Sequence, residues 1–216
     1  GGTAMHRYLT ELVGTFFLVL TIGLTTIQAT AMAPLAIGSV LMVMVYMGGH
    51  VSGGHYNPAV TLGVFFAGKL SAGDMLAYWV SQVVGAFLGA LAVLGLVAET
   101  FAPAPGPEVG LWAMAGAEVL FSFALVLVVL SSAVSAATHG NSFYGLAIGF
   151  TVMVGAWAVG PISGAAFNPA VGVGPTALHA LRAGGSWGSL WLYVVAPLAG
   201  GALAAAFFRF QEAGRS

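Results

Sequence analysis

Residues 163–171 read SGAAFNPAV, and residues 52–60 read SGGHYNPAV. Six of the nine positions are identical, and Tyr56 answers Phe167, one aromatic for another. The copies lie 111 residues apart in a chain of 216. Each phrase opens a short apolar stretch, 58–67 in the first case and 169–178 in the second. Asn is a strong helix N-cap, and Pro suits the first helical turn. Each phrase therefore reads as a loop that becomes a helix. Ten residues of helix make about 15 Å, half of a hydrocarbon core that is roughly 30 Å thick.

The surroundings explain why half a membrane is the relevant unit. Hydrophobic residues make up 59% of the chain and charged residues 5%, whereas soluble domains carry about 25% charge. A surface with 5 Lys+Arg and 6 Asp+Glu cannot stay in water, so the chain reads as an integral membrane protein. Lipid offers no hydrogen bonds to the backbone, and the long continuous apolar runs argue for helices rather than a barrel. Segments near 8–28, 34–51, 75–98, 112–135, 142–160 and 187–208 are long enough to span. The net charge of −1 leaves no basic footprint for nucleic acid, and the absence of Cys excludes disulfides and thiol chemistry. GGTAM at the start reads as a tag remnant ahead of Met5, so 1–4 are set aside, and the first apolar segment reads as a retained span.

The order is span, span, half-helix, span, given twice. The Pro/Gly-rich ETFAPAPGPEVGL at 99–111 separates repeat 1, about 5–103, from repeat 2, about 107–211, within one transmembrane domain. Glu11 in TELVGTFFLVL answers Glu118 in GAEVLFSFALVL. Three spans per repeat force the second copy to enter upside down, which brings the two half-helices to the midplane from opposite sides. The fold class expected is all-α, six transmembrane helices plus two re-entrant half-helices in an inverted repeat. With both termini inside, Arg7, Lys69, Arg209 and Arg215 face the cytoplasm and only Arg182 faces out. That balance favours cytoplasmic termini, and the expected location of this multi-pass protein is the plasma (inner) membrane.

Two helix N-termini meeting at the midplane make a local positive potential that repels cations. The side chains of Asn57 and Asn168 add amide donors. The small residues before them, Gly53, Gly54, His55 and Gly164, Ala165, Ala166, can expose backbone carbonyls in a row. Central donors with acceptor ladders on either side suit a single file of small neutral polar molecules. The intramembrane carboxylates Glu11 and Glu118 could relay cations or brace the loops. Their matching places in the two repeats favour bracing. His50 and His55 lie five apart with no third ligand nearby, so no metal site is expected there. A protonation gate at His50, His55 or His139 has little support. Recurrent glycines on the spans (Gly14, Gly23, Gly85, Gly89, Gly155, Gly200, Gly201) read as close-packing points. Tyr8, Trp112, Trp187 and Trp191 fit an interfacial belt.

The chain resembles the aquaporin, or major intrinsic protein, family over essentially its whole length. The resemblance rests on Glu11, GGHVSGGHYNPAVTLG at 48–63, Glu118, AIGFTVMVG at 147–155 and SGAAFNPAVGVGP at 163–175. It implies a homotetramer with one pore per subunit, Asn57, Pro58, Ala59, Asn168, Pro169 and Ala170 at the pore centre, and bracing by the two carboxylates. It also implies a four-residue selectivity filter on the extracellular side. Spacing from the two Asn residues maps that filter to Ile37, Ala156, Ala165 and Val171. Most of the family carries Arg where Val171 stands, and a water-selective member typically has Phe and His at the first two positions. The set here is apolar and small, without fixed charge. The expected function is a passive, aquaglyceroporin-like channel for neutral solutes: glycerol-like polyols, urea, ammonia, hydrogen peroxide or metalloid hydroxides such as arsenite, with water able to pass. The main alternative is a water-selective pore. A coupled secondary transporter and a closed adhesive membrane protein rank below it. No nucleophile–base pair and no cofactor signature argues for an enzyme.

Overall fold

A computed structural model describes residues 4–214. Eight α-helices follow in chain order: α1 Ala4–Ile27, α2 Ala33–Ser52, α3 Pro58–Phe66, α4 Ala72–Val97, α5 Leu111–Val129, α6 Tyr144–Ser163, α7 Pro169–Ala183 and α8 Leu190–Ala213. No strand occurs among the described residues. Six helices, all but α3 and α7, are long and apolar enough to cross a membrane, α5 doing so together with the π turn Leu130–Val134 that continues it. Arg215 and residues 1–3 of the expected tag remnant lie outside the described residues, and Ala4 opens α1.

The starts of the two short helices follow from local chemistry. Asn57 and Asn168 are extended N-caps whose side chains accept from the backbone N–H of Ala59 (2.8 Å) and Ala170 (2.9 Å). Pro58 and Pro169 fill the first helical position, where a missing N–H costs nothing. The helices before them, α2 and α6, stop on Gly53 (φ 94°) and Gly164 (φ 84°), left-handed caps that suit glycine. Ser71 caps α4 by accepting from the Asp74 N–H at 3.1 Å.

Several boundaries differ from the sequence expectation. α7 continues to Ala183 rather than 178, because Pro175 is absorbed inside the helix and the following ALHALRA holds no breaker before the left-handed Gly184. α6 likewise runs through Pro161 to Ser163. The segment expected as one span over 112–135 changes character: α5 gives way to the π turn and then a 3-10 turn at Ala136–Thr138. Asn141 holds that turn, donating to the carbonyls of Ser132 and Thr138 and accepting from the N–H groups of Phe143 and Tyr144.

The packing is pairwise symmetric. α1 lies on α4 as α5 lies on α8, and α1 meets α2 as α5 meets α6. Across the halves, α2 packs on α6, α4 on α7 and α8 on α3, while α3 and α7 touch tip to tip. Small residues set these distances. A Cβ on Gly85 would stand 2.3 Å from the Leu12 carbonyl oxygen, and one on Gly200 would stand 2.5 Å from that of Val119. Close backbone approach of this kind is how membrane helices gain van der Waals contact without a hydrophobic driving force. Large apolar side chains such as Val80, Leu120, Leu203 and Phe210 point outward instead.

Gly85→Val should lower the melting temperature in detergent by about 5 °C, because the methyls collide with backbone rather than with a movable side chain. Gly95→Ala, at a position with nothing within 4 Å, should leave it unchanged or slightly raised. Equal melting temperatures for both variants would show that the α1–α4 contact is not tight.

Candidate functional site

Three cavities follow one another through the middle of the bundle. One vestibule of about 440 Å³ opens beside His50, Gly53, His139 and Tyr144. The opposite one, about 380 Å³, is lined by Pro34, Ile37, Phe101, Ala104, Ala156, Ala165 and Val171. Between them lies a passage of about 30 Å³, far smaller than either vestibule. His55 borders both the first vestibule and the passage, while Ile37, Ala165 and Val171 border both the passage and the second vestibule. Asn57 and Asn168 line the passage from opposite ends of the chain.

The loops that feed the passage have unusual backbones. Gly53, Gly54 and Tyr56 are left-handed (φ 94°, 65° and 49°), and Gly164, Ala165 and Phe167 repeat the pattern (84°, 51° and 46°). For Tyr56, Ala165 and Phe167 this conformation costs on the order of 1 kcal/mol each. Among the described residues, the carbonyls of 53–55 and 164–166 take no hydrogen bond from the protein, which leaves them for whatever occupies the path.

The strain is held by buried carboxylates. Glu11 Oε1 accepts from Ser52 Oγ (2.7 Å) and the His55 N–H (2.9 Å), and Oε2 accepts from the Tyr56 N–H (2.6 Å) and Gln82 Nε2 (2.8 Å). Glu118 accepts from Ser163 Oγ (2.7 Å) and the N–H groups of Ala166 (3.0 Å) and Phe167 (2.7 Å). Both carboxylates are fully buried, and donors to a charged acceptor are worth about 1.5–3 kcal/mol each. Tyr78 and Tyr193 add a donor from α4 and α8 to the carbonyls of Ser52 and Ser163.

The two halves then close on each other. Asn57 Nδ2 donates to the Phe167 carbonyl (2.8 Å), and Asn168 Nδ2 donates to the Tyr56 carbonyl (2.9 Å). Each amide keeps a second N–H at the passage. With two helix N-termini aimed at the same point, the centre is electropositive and furnished with donors, while the loops on either side supply acceptors.

The sequence-derived residues are distributed as follows. Ile37, Ala165 and Val171 come together at one end of the passage, and Ala156 lies in the adjoining vestibule rather than in the passage itself. Val171 is 4% exposed, in the first turn of α7. His50 and His139 line the first vestibule, and no group of three metal-ligating side chains occurs among the described residues. The glycines do pack closely, and two of them serve the site: Gly14 makes room for the Tyr56 ring and Gly155 for that of Phe167. Sequence reasoning did not single out Tyr78, Gln82, Thr61 or Tyr193. Gln82 carried a usable signal, a lone amide in the apolar run YWVSQVVGAFLGA.

A family model described as Major intrinsic protein matches residues 1–208. The glycerol uptake facilitator protein-like 6 of Lactiplantibacillus plantarum is 36% identical over 213 residues, covering 93% of this chain and 95% of its own length. Aquaporin TIP1-2 of Musa acuminata is 37% identical over 188 residues, or 85% and 72% of the two chains. Among solved structures, the aquaglyceroporin from Plasmodium falciparum superposes with a TM-score of 0.85 at 22% identity, covering 95% of this chain and 96% of its own, a likeness of fold.

Glu118→Gln turns a carboxylate oxygen into an N–H that faces Ser163, Ala166 or Phe167, donors all. It should lower the melting temperature by about 5–10 °C, with Ser163→Ala clearly milder. Thermal unfolding followed by tryptophan fluorescence measures both, and a Glu118→Gln protein as stable as wild type would remove the bracing role.

Proposed function

The chain belongs to the major intrinsic protein family, and on that premise we propose that it is a passive channel for small neutral solutes whose selectivity filter is formed by Ile37, Ala156, Ala165 and Val171. The observation that carries this reading is the lining where the passage meets the second vestibule. Side chains there are aliphatic, and the position one residue after the second Asn-Pro-Ala holds Val171. Such a ring offers no charge and no side-chain donor. A water molecule crossing it replaces few of its lost hydrogen bonds. A solute with carbon or another bulky neutral centre gives up fewer hydrogen bonds per unit of size and finds apolar contact in return.

Glycerol-like polyols, urea, ammonia, hydrogen peroxide and metalloid hydroxides such as arsenite fit that description. A relative named for glycerol uptake, similar along nearly its whole length, supports the polyol end of the range. Asn57, Pro58, Ala59, Asn168, Pro169 and Ala170 form the electropositive centre that keeps cations out. Glu11 and Glu118 brace the loops. Subunits assemble as homotetramers through outward-facing apolar surfaces, in a plasma membrane with the termini in the cytoplasm. A water-selective pore is the second reading, and the small volume of the passage beside its two vestibules favours it.

Stopped-flow measurements on proteoliposomes separate the two. Glycerol, urea and arsenite flux above that of empty vesicles is expected for the wild type. Val171→Arg, which adds a long cation with five donors at the ring, should cut solute flux about tenfold while sparing water more. Water flux without any solute flux in the wild type sinks the solute reading, and solute flux untouched by Val171→Arg removes Val171 from the filter.

A further inference from the structure

A fourth cavity lies beside the path rather than on it. It holds about 430 Å³ and is bounded by the outer part of α7, the start of α8, the end of α1 and the segment 101–105. That size falls in the range of about 300–1,000 Å³ typical of small-molecule sites. Neither Asn57 nor Asn168 lines it, and none of Ile37, Ala156, Ala165 and Val171 does. Phe101, Ala102, Pro103 and Ala104 line this cavity and the second vestibule alike, so the two are neighbours across one stretch of chain.

Three side chains that line it have hydrogen-bonding capacity the protein does not use. Thr176 is 5% exposed. Thr15, Thr25, Thr26, Thr61 and Thr151 each turn the hydroxyl back to the carbonyl four residues earlier, whereas Thr176 makes no side-chain hydrogen bond among the described residues. His179, one turn later on α7, places Nδ1 2.8 Å from Thr100 Oγ1 and leaves Nε2 without a partner among the described residues. Gly185 gives that ring its room, because a Cβ there would stand 2.2 Å from Cδ2 and 2.9 Å from Nε2. Ser189 holds the N-cap position of α8 without using its hydroxyl as a cap. None of these three groups is sealed from the cavity; the sealed unpartnered atoms among the described residues are Gln82 Oε1 and Ser122 Oγ.

The rest of the lining decides what such groups are for. The other polar side chains are engaged: Thr26 donates to the Ile22 carbonyl, Tyr193 to that of Ser163, and Ser186 Oγ accepts from the Gly188 N–H. The α1 end and the 101–105 segment supply carbon, with Ile27, Phe101, Pro103 and Pro105. No Asp, Glu, Lys or Arg lines the cavity, so an ion entering it would lose hydration and meet no counter-charge. A hydrocarbon would strand three polar groups, and water alone would leave the carbon surface wetted.

We propose that this cavity is a binding site for a neutral polyol, whose successive hydroxyls meet Thr176 Oγ1, His179 Nε2 and Ser189 Oγ while its C–H edge lies on the carbon of the 101–105 segment. The site is separate from the conducting path and holds whether that path carries solutes or only water. Its occupant packs against the same segment that walls the second vestibule.

Xylitol is the probe. Full-length protein with ¹⁵N-labelled histidines is titrated with it in detergent micelles at fixed pH. The His179 ring signals, identified by their loss in His179→Phe, should shift saturably. The apparent Kd should rise about fivefold in Thr176→Val and in Ser189→Ala, as expected for the loss of one hydrogen bond in each. Pentane-1,5-diol keeps the carbon chain without the inner hydroxyls and should bind the wild type at least about fivefold more weakly. Val171→Arg, on the path and outside this cavity, should leave the xylitol titration unchanged. No saturable shift, xylitol bound no tighter than the diol, wild-type affinity in both Thr176→Val and Ser189→Ala, or binding lost in Val171→Arg each overturns the proposal. The comparison of xylitol with the diol needs no variant and decides the matter if a variant does not fold. Absence of solute flux in vesicles would sink the solute-channel reading and leave this titration as it is.

Discussion

A carboxylate buried in a membrane with hydrogen bonds to the backbone of a left-handed loop is the contact on which the rest of this molecule depends. Inside a bilayer an irregular peptide segment has no water to turn to, so its N–H groups need acceptors within the protein. Glu11 and Glu118 supply them. They hold Tyr56 and Phe167 in a conformation that these residues seldom adopt, and that conformation aims Asn57 and Asn168 at one another. From that alignment follow the opposed helix N-termini and the paired amides. The cost of burying each charge is offset by its donors, and each donor belongs to the loop being shaped.

Much of this was legible along the chain because it is local. Asn-Pro at 57–58 and 168–169 carries both a cap and a first turn within two residues, and the apolar runs between Gly/Pro-rich loops outline the spans. The family followed from the doubled phrase. Less was legible where distant parts meet. Pro175 and Pro161 look like terminators, yet α7 and α6 continue through them. The π turn after Val129 depends on Asn141, whose four hydrogen bonds cross a loop. Gln82 and Tyr78 went unmarked in the sequence, and it is the rotation of α4 that turns them toward Glu11 and Ser52. Counting from the two Asn residues picked out Ile37, Ala156, Ala165 and Val171, and all four line the second vestibule.

The doubling of the architecture also makes its departures meaningful. Both halves brace their loops with a carboxylate, a serine and a tyrosine, but the first adds Gln82, Thr61 and His55, while the second has Ala166 and Gly172 at the places of His55 and Thr61. A symmetric scaffold thus carries an asymmetric lining, built from a handful of side chains without altering the helices that support them.

The crossed bonds from Asn57 to the Phe167 carbonyl and from Asn168 to the Tyr56 carbonyl have a consequence for how the molecule is made. Synthesis delivers the first half while the second is still inside the ribosome. Until α6 and α7 arrive, the Asn57 amide and the Tyr56 carbonyl have no partners at membrane depth, and α3 has no tip to rest against. The spans have their backbone bonds internally, whereas the re-entrant loops complete theirs only once both copies of the phrase, and α8 behind α3, are present.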